Sequence, residues 1–205
     1  MAITPQPGAA RRTHVLLGGI PQHGSVLGSP KAPVTLQFFG DLQCKESRQV
    51  MLGALPFLIR RFVRDGELQI RYRSRETDTQ KAGGWPEFVE QQAAALAAGE
   101  QGKLWDFIDV FYRDQGPEFT GYVDEAFLDQ IARGAGLHRE EWKASRTVPQ
   151  GWVPQLRADA ELASAKRLDS TPSFLIGPTG GEARPLLHFG LQEPKVFEEA
   201  VVALL

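Results

Sequence analysis

The sequence predicts an α/β protein in which a strand-helix-strand unit and a strand-strand-helix unit flank an all-helical block. Three observations carry this reading. Residues 34–39 (Val-Thr-Leu-Gln-Phe-Phe) form a β-branched and aromatic run, and residues 68–73 alternate apolar with polar side chains. Between 86 and 168 the apolar residues recur only at helical spacing. After Thr171-Pro172, two short strand patterns return before a final helix.

Taken in order, residues 1–18 are expected to be a flexible tail, because Pro, Gly and Ala dominate and the Val15-Leu16-Leu17 patch is brief. Residues 20–33 are turn-rich, with room for one short edge strand at most. The run at 34–39 is nearly continuously apolar, as expected of a strand buried on both faces of a sheet, and it ends at Gly40-Asp41. Val50, Met51, Ala54, Leu55, Leu58, Ile59 and Phe62 then mark a helix over 47–63, which Pro56 should kink. Asp65-Gly66 closes it ahead of the strand at 68–73. Within the helical block, apolar stripes predict helices near 88–98, 104–112, 123–131, 140–145 and 154–168, and the simplest role of those stripes is core packing. Strands are expected at 173–177 and 185–190, joined by the turn Pro178-Thr179-Gly180-Gly181, and Pro194 sits early in the last helix, where its missing donor costs nothing. The resulting division is a tail (1–18), a first α/β part (19–85), a helical insertion (86–168) and a second α/β part (169–205). This order is that of a thioredoxin fold with an all-helical insertion.

Composition narrows the function. The 205 residues carry 23 Lys and Arg against 25 Asp and Glu, a formal charge of −2, so there is no basic excess for nucleic acid. No apolar stretch approaches the ~18–20 residues of a membrane span. The patch after Arg11 and Arg12 is also too short for the hydrophobic region of a signal peptide. The chain as written is therefore expected to be cytoplasmic, or exported or anchored if an N-terminal segment has been removed. Histidines 14, 23, 138 and 188 are too scattered for a metal-ligand pattern, and no metal or bound cofactor is expected. Gly18-Gly19 and Gly180-Gly181 lack phosphate-loop spacing. A Cys-His pair would require folding to bring His23 or His188 to the cysteine.

That cysteine, Cys44, is the single one in the chain, which forbids an internal disulfide. It follows a strand by a few residues and precedes a helix, a position where unpaired N–H groups favour a thiolate. Its pKa is therefore expected to fall below the ordinary ~8.5. Lys45 would add to this effect and Glu46 would oppose it. The plainer alternative is a small buried cysteine without chemistry.

Several segments in order, Gly19-Ile20-Pro21-Gln22-His23-Gly24, Ala32-Pro33-Val34-Thr35-Leu36, Phe39-Gly40-Asp41-Leu42-Gln43-Cys44, Glu100-Gln101-Gly102-Lys103-Leu104-Trp105-Asp106-Phe107 and Thr171-Pro172-Ser173-Phe174, resemble bacterial DsbA-like thioredoxin-fold proteins over roughly residues 19–205. The resemblance implies that Cys44 is the nucleophile and that Pro172 is a cis-proline facing it. A cis bond there would expose the backbone of Thr171 to an extended substrate. With Lys45 and Glu46 beside the thiol, Thr171 makes up the implied substrate contacts, the partners being protein or peptide thiols and disulfides.

Two departures matter. The family's Cys-x-x-Cys motif here reads Cys44-Lys45-Glu46-Ser47, and Phe38 stands where many relatives carry an acid six positions before the nucleophile. The losses agree, since that acid is thought to take a proton from the missing second thiol. Cys44 can still form a mixed disulfide, but an external thiol such as glutathione, acting as co-substrate, must resolve it. Ser47, one helical turn on, could donate to the thiolate; it is equally explained as a first-turn polar residue or as an engineered replacement of cysteine. The leading expectation is a monothiol exchange protein of reductase, isomerase or deglutathionylating type. The alternatives are a redox-inactive peptide- or partner-binding module and a glutathione-dependent isomerase or transferase on the same scaffold.

Overall fold

The computed structural model describes residues 3–80, 85–146, 149–186 and 193–205. The central sheet has the order β1-β2-β4-β3-β5-β6, with β1 Gln22–His23, β2 Val26–Leu27, β3 Val34–Gly40, β4 Leu68–Ser74, β5 Ser173–Pro178 and β6 Arg184–Pro185. β3 runs parallel to β4 (Leu36 opposite Ile70, Phe38 opposite Tyr72) and antiparallel to β5 (Phe38 opposite Phe174). The 20–33 segment thus supplies two short strands, β1 at the sheet edge and β2 between it and β4, where one edge strand at most was expected. A two-residue strand carries no readable alternation. The expected strand at 185–190 is described only at its start, and the remainder lies outside the described residues.

β3 is buried on one face more than on two. Leu36, Phe38, Ile70, Tyr72, Phe174 and Ile176 share the apolar face and join the main core. Phe38 stacks on Phe174 at 5.3 Å between centroids and meets Tyr72 edge-on at 5.7 Å. On the other face, Thr35, Gln37, Gln69, Arg71 and Arg73 line an open cavity of about 840 Å³. On the same face Phe39 and Leu175 pack against Ala163 and Leu168.

The helix after β3 is broken into α2 Lys45–Leu52, α3 Ala54–Leu58 and a π-helical turn at Ile59–Val63. The break falls at Gly53, three residues before Pro56. The proline ring would strike the carbonyl four residues back, that of Leu52, so the chain restarts its helix with Pro56 in the first turn, where no N–H is needed.

Between β4 and β5 the described residues are helical, with α4 Trp85–Glu100, α5 Leu104–Asp114, α6 Glu125–Gly134, α7 Arg139–Arg146 and α8 Pro149–Ala165. Indole donors secure the block: Trp105 to the Ser25 carbonyl at 3.1 Å, and Trp142 to the Ala94 carbonyl at 2.8 Å. α8 starts five residues earlier than the expected 154 and holds Pro154 within it. It docks on β4 through buried Asp159, which accepts from the Arg73 guanidinium at 2.7 Å and from the Ser74 N–H at 3.0 Å. The chain closes with α9 Pro194–Val202, whose Phe197 meets Phe174 edge-on.

Residues 1–18 are not a free tail. Ala9–Leu17 is a helix, α1, that packs on α5. Its inward side is Ala9, Thr13, Leu16 and Leu17, an i, i+4, i+7, i+8 stripe. Thr13 Oγ1 donates to the buried Asp109 carboxylate, which also takes Nε of Arg113 at 2.7 Å. Replacing Leu17, 2 % exposed, by Ala should therefore cost about 2–5 kcal/mol in denaturant unfolding. Val15→Ala, at a residue 69 % exposed, should change stability by less than about 0.5 kcal/mol.

Candidate active site

β3 ends in a glycine for a steric reason. A Cβ on Gly40 would lie 3.0–3.1 Å from the Phe38 ring, the Tyr112 hydroxyl and the Tyr72 ring. The next residue, Asp41, is fully buried and accepts six hydrogen bonds. Oδ1 takes the Gln43 N–H (3.0 Å) and Gln91 Nε2 (3.3 Å), and Oδ2 takes the Thr77 N–H (3.1 Å), Thr77 Oγ1 (2.9 Å), Thr79 Oγ1 (3.0 Å) and Gln80 Nε2 (3.0 Å). One carboxylate thereby ties the strand end to the loop after β4 and to α4. Burial pushes its pKa up, and the hydrogen bonds pull it back only in part.

Cys44 is the N-cap of α2, with its own N–H donating to the Asp41 carbonyl at 3.1 Å and its carbonyl taking the Arg48 N–H at 3.1 Å. Gln115 Nε2 also reaches the Leu42 and Cys44 carbonyls, at 2.7 and 3.2 Å. The sulfur is 3.5 Å from the Thr171 carbonyl oxygen and 3.4 Å from Glu46 Oε2, and the thiol donates to both. The Thr171–Pro172 peptide is cis, and the Thr171 hydroxyl lies 3.3 Å from that of Thr77. The structure therefore brings Cys44, Glu46 and Thr171 together around one opening of about 390 Å³, with the cis bond to Pro172 directly after Thr171. Lys45 borders the same opening, but its ammonium is largely exposed and sits 3.7 Å from a Glu46 oxygen.

One expectation needs correcting. Burial pushes the Cys44 thiol up rather than down, and Glu46 adds to the rise. Hydrogen bonding from Thr171 and from the N–H and hydroxyl of Ser47 opposes it without prevailing. The helix N-terminus is present, but Cys44 is only 4 % exposed and its sulfur makes no capping bond, so desolvation of the thiolate outweighs the N–H groups. Ser47 is wholly buried, and its hydroxyl makes no hydrogen bond to the protonated thiol. It remains close enough to stabilise a thiolate once one forms.

Other groups were not singled out from sequence. Glu118 Oε1 takes the Lys45 N–H at 3.0 Å and so satisfies the first free donor of α2. Its loop lies more than 70 residues on, and nothing in the sequence points to the pairing. Asp41 carried a local signal, a carboxylate three residues before the thiol. Among the described residues, the sulfur and carboxylate oxygens of Cys44, Glu46 and Glu118 lie within 4.8 Å of one another, close enough to reach one metal ion. Each is already engaged, however: Glu118 by the Lys45 N–H, and Glu46 by the thiol and the Lys45 ammonium. His23 lines the cavity on the far face of the sheet, away from Cys44, and His188 lies outside the described residues.

Comparison with known proteins agrees with this architecture. A family model described as Thioredoxin matches residues 22–183, most of the chain, and the protein belongs to that family. Disulfide bond formation protein D of Bacillus subtilis is 22 % identical over 156 residues, covering 74 % of this chain and 66 % of that protein. The probable disulfide bond formation protein D of Bacillus anthracis is 23 % identical over 169 residues, covering 78 % and 71 %. Among solved structures, oxidised BdbD from Bacillus subtilis superposes with a TM-score of 0.71 at 16 % identity, covering 92 % of this chain and 97 % of that one. Wolbachia pipientis alpha-DsbA1 does so at 0.70 and 18 %, covering 94 % of each. The fold is thus the DsbA-like form of the thioredoxin fold, with its helical insertion between β4 and β5.

The Asp41 hydrogen bonds lead to two expectations. Asp41→Ala leaves several buried donors without an acceptor and should cost about 3–5 kcal/mol. Asp41→Asn tests the sign of the titration. Between the ordinary value of 3.8 and the raised folded value, the folded state keeps a proton that the unfolded state has released. This group's contribution is then fully present below 3.8 and declines as pH rises through the folded value. The stability difference between the parent and Asp41→Asn, followed by denaturant titration across that window, should shrink as pH rises; a constant difference contradicts the shift.

Proposed function

We propose that the protein is a monothiol thiol-disulfide exchange protein with Cys44 as nucleophile. The observation that carries the reading is the single sulfur set 3.5 Å from the Thr171 carbonyl at the mouth of an open cavity. A disulfide lying along the Thr171 backbone would present one sulfur to Cys44. The thiol first gives up its proton. The thiolate attacks, the substrate S–S bond breaks, a mixed disulfide with Cys44 forms, and the departing sulfur leaves as a thiolate that takes up a proton. The buried Ser47 hydroxyl is a ready donor to the Cys44 thiolate. It cannot attack the mixed disulfide, so an external thiolate attacks the substrate sulfur and releases Cys44. Glutathione can serve as that thiol. No other group needs to be bound.

A raised thiol pKa lowers the thiolate fraction near neutrality, while each thiolate formed is the stronger nucleophile. Two relatives named for disulfide bond formation support exchange over a glutathione-dependent transferase or isomerase. Because disulfides persist in oxidising compartments, the reading goes with the exported or anchored alternative rather than with the cytoplasmic one. No helix among the described residues is long and apolar enough to cross a membrane. A second reading, a redox-inactive peptide-binding module, draws on the 4 % exposure of Cys44.

Mass spectrometry after incubation with a disulfide-bearing peptide separates the two. Exchange predicts an adduct on Cys44 that persists until a thiol is added, and Ser47→Cys should shorten its lifetime by intramolecular attack. Absence of an adduct on the folded protein, with a thiol that reacts after unfolding, would establish the binding module instead. Burial is the main cause of the raised thiol pKa and Glu46 adds to it, so Glu46→Gln should move the pH midpoint of Cys44 alkylation down.

A further inference from the structure

The rim of the Cys44 cavity has a charge far out of proportion to the molecule. Its carboxylates are Glu46 from the first turn of α2, Glu76 and Asp78 from the loop after β4, Glu118 from the loop after α5, and Asp169 from the loop after α8. Lys45 is the one basic side chain lining it among the described residues, and its ammonium already lies beside Glu46. Five carboxylates against one ammonium give the rim a formal charge of −4, whereas the whole chain carries −2. Arg75 offsets Glu76 in part but does not line the opening. The charge is also concentrated at the reacting atom, with ligand oxygens of Glu46 and Glu118 within 4.8 Å of the sulfur. Four separate chain segments converge to make it, so it is no run of like charges on one solvated face.

We infer that this rim selects the substrates of Cys44 by charge, favouring thiols and disulfides flanked by lysine or arginine and disfavouring anionic ones. The inference rests on the exchange reading above and names its substrate class. A concave acidic mouth raises the local concentration of cations and opposes anions, and the effect is read as an encounter rate that salt screens. Glutathione, which is anionic near neutral pH, should then be a slow resolving thiol compared with a cationic one.

Three small disulfides test this on the intact protein: dicationic cystamine, neutral hydroxyethyl disulfide and dianionic dithiodipropionate. Rates of adduct formation on Cys44 are each divided by the rate of the same disulfide with a small neutral reference thiol, which removes leaving-group differences. At about 10 mM ionic strength the normalised rates should fall in the order cation, neutral, anion, with at least about a tenfold span, and the span should collapse toward one as salt approaches 1 M. In the combined variant Glu76→Gln, Asp78→Asn, Asp169→Asn the span should narrow; because it is a ratio within one variant, any change in thiol reactivity cancels. Equal normalised rates, a span that ignores salt, or a span unchanged in the variant would overturn the charge selection while leaving exchange standing. If none of the three forms an adduct on the folded protein, the exchange reading falls, and the selection with it.

Discussion

The site depends on one buried carboxylate that forms no salt bridge among the described residues. Asp41 faces six donors and gathers three parts of the chain that are remote in sequence: the end of β3, the 77–80 loop and α4. Every position around Cys44 is referred to it. The N–H of Cys44 is fixed on the carbonyl of Asp41, as is the Tyr112 hydroxyl at 3.1 Å, and Thr77, held by its side chain, meets Thr171 across the opening. An acceptor-only group suits this role, because an amide in its place would point a donor at other donors. Desolvating such a group is expensive, and the cost is tolerated where it makes one arrangement of several loops better than any other.

The same desolvation governs the sulfur. At the start of a helix a thiolate gains from free N–H groups, but here the first of those is taken by Glu118, and the sulfur itself is covered by the Thr171 peptide. What remains is a thiol that holds its proton, beside a hydroxyl with nothing else to bond. At position 38 a phenyl ring stacked in the core leaves no place for an unpaired carboxylate, and one turn after Cys44 stands the hydroxyl of Ser47.

How much of this could be read in the sequence depended on whether a residue's role is local. β3 and β4 declared themselves through strand-like composition, and the helical block through three- and four-residue spacing. Cys44 stood out by position, and Thr171 and Pro172 through the family resemblance. α1 did not, because half of its inward stripe is Ala9 and Thr13, small or polar residues whose burial makes sense only against Asp109 on α5. The β1–β2 hairpin is too short to show a period. Glu76, Asp78, Glu118 and Asp169 look like ordinary solvated acids until four loops meet, and the upward shift of Cys44 follows from how deeply the fold seats it.

The short outer hairpin bears on how the sheet meets other chains at its edge. β1 contributes only Gln22 and His23 to the sheet, and the Gln22 side chain is committed to α5, its Oε1 taking the Trp105 N–H at 3.0 Å. An extended chain arriving at that border finds two residues to pair with, and then a turn. This flank of the sheet therefore offers an extended chain no template for cross-strand aggregation.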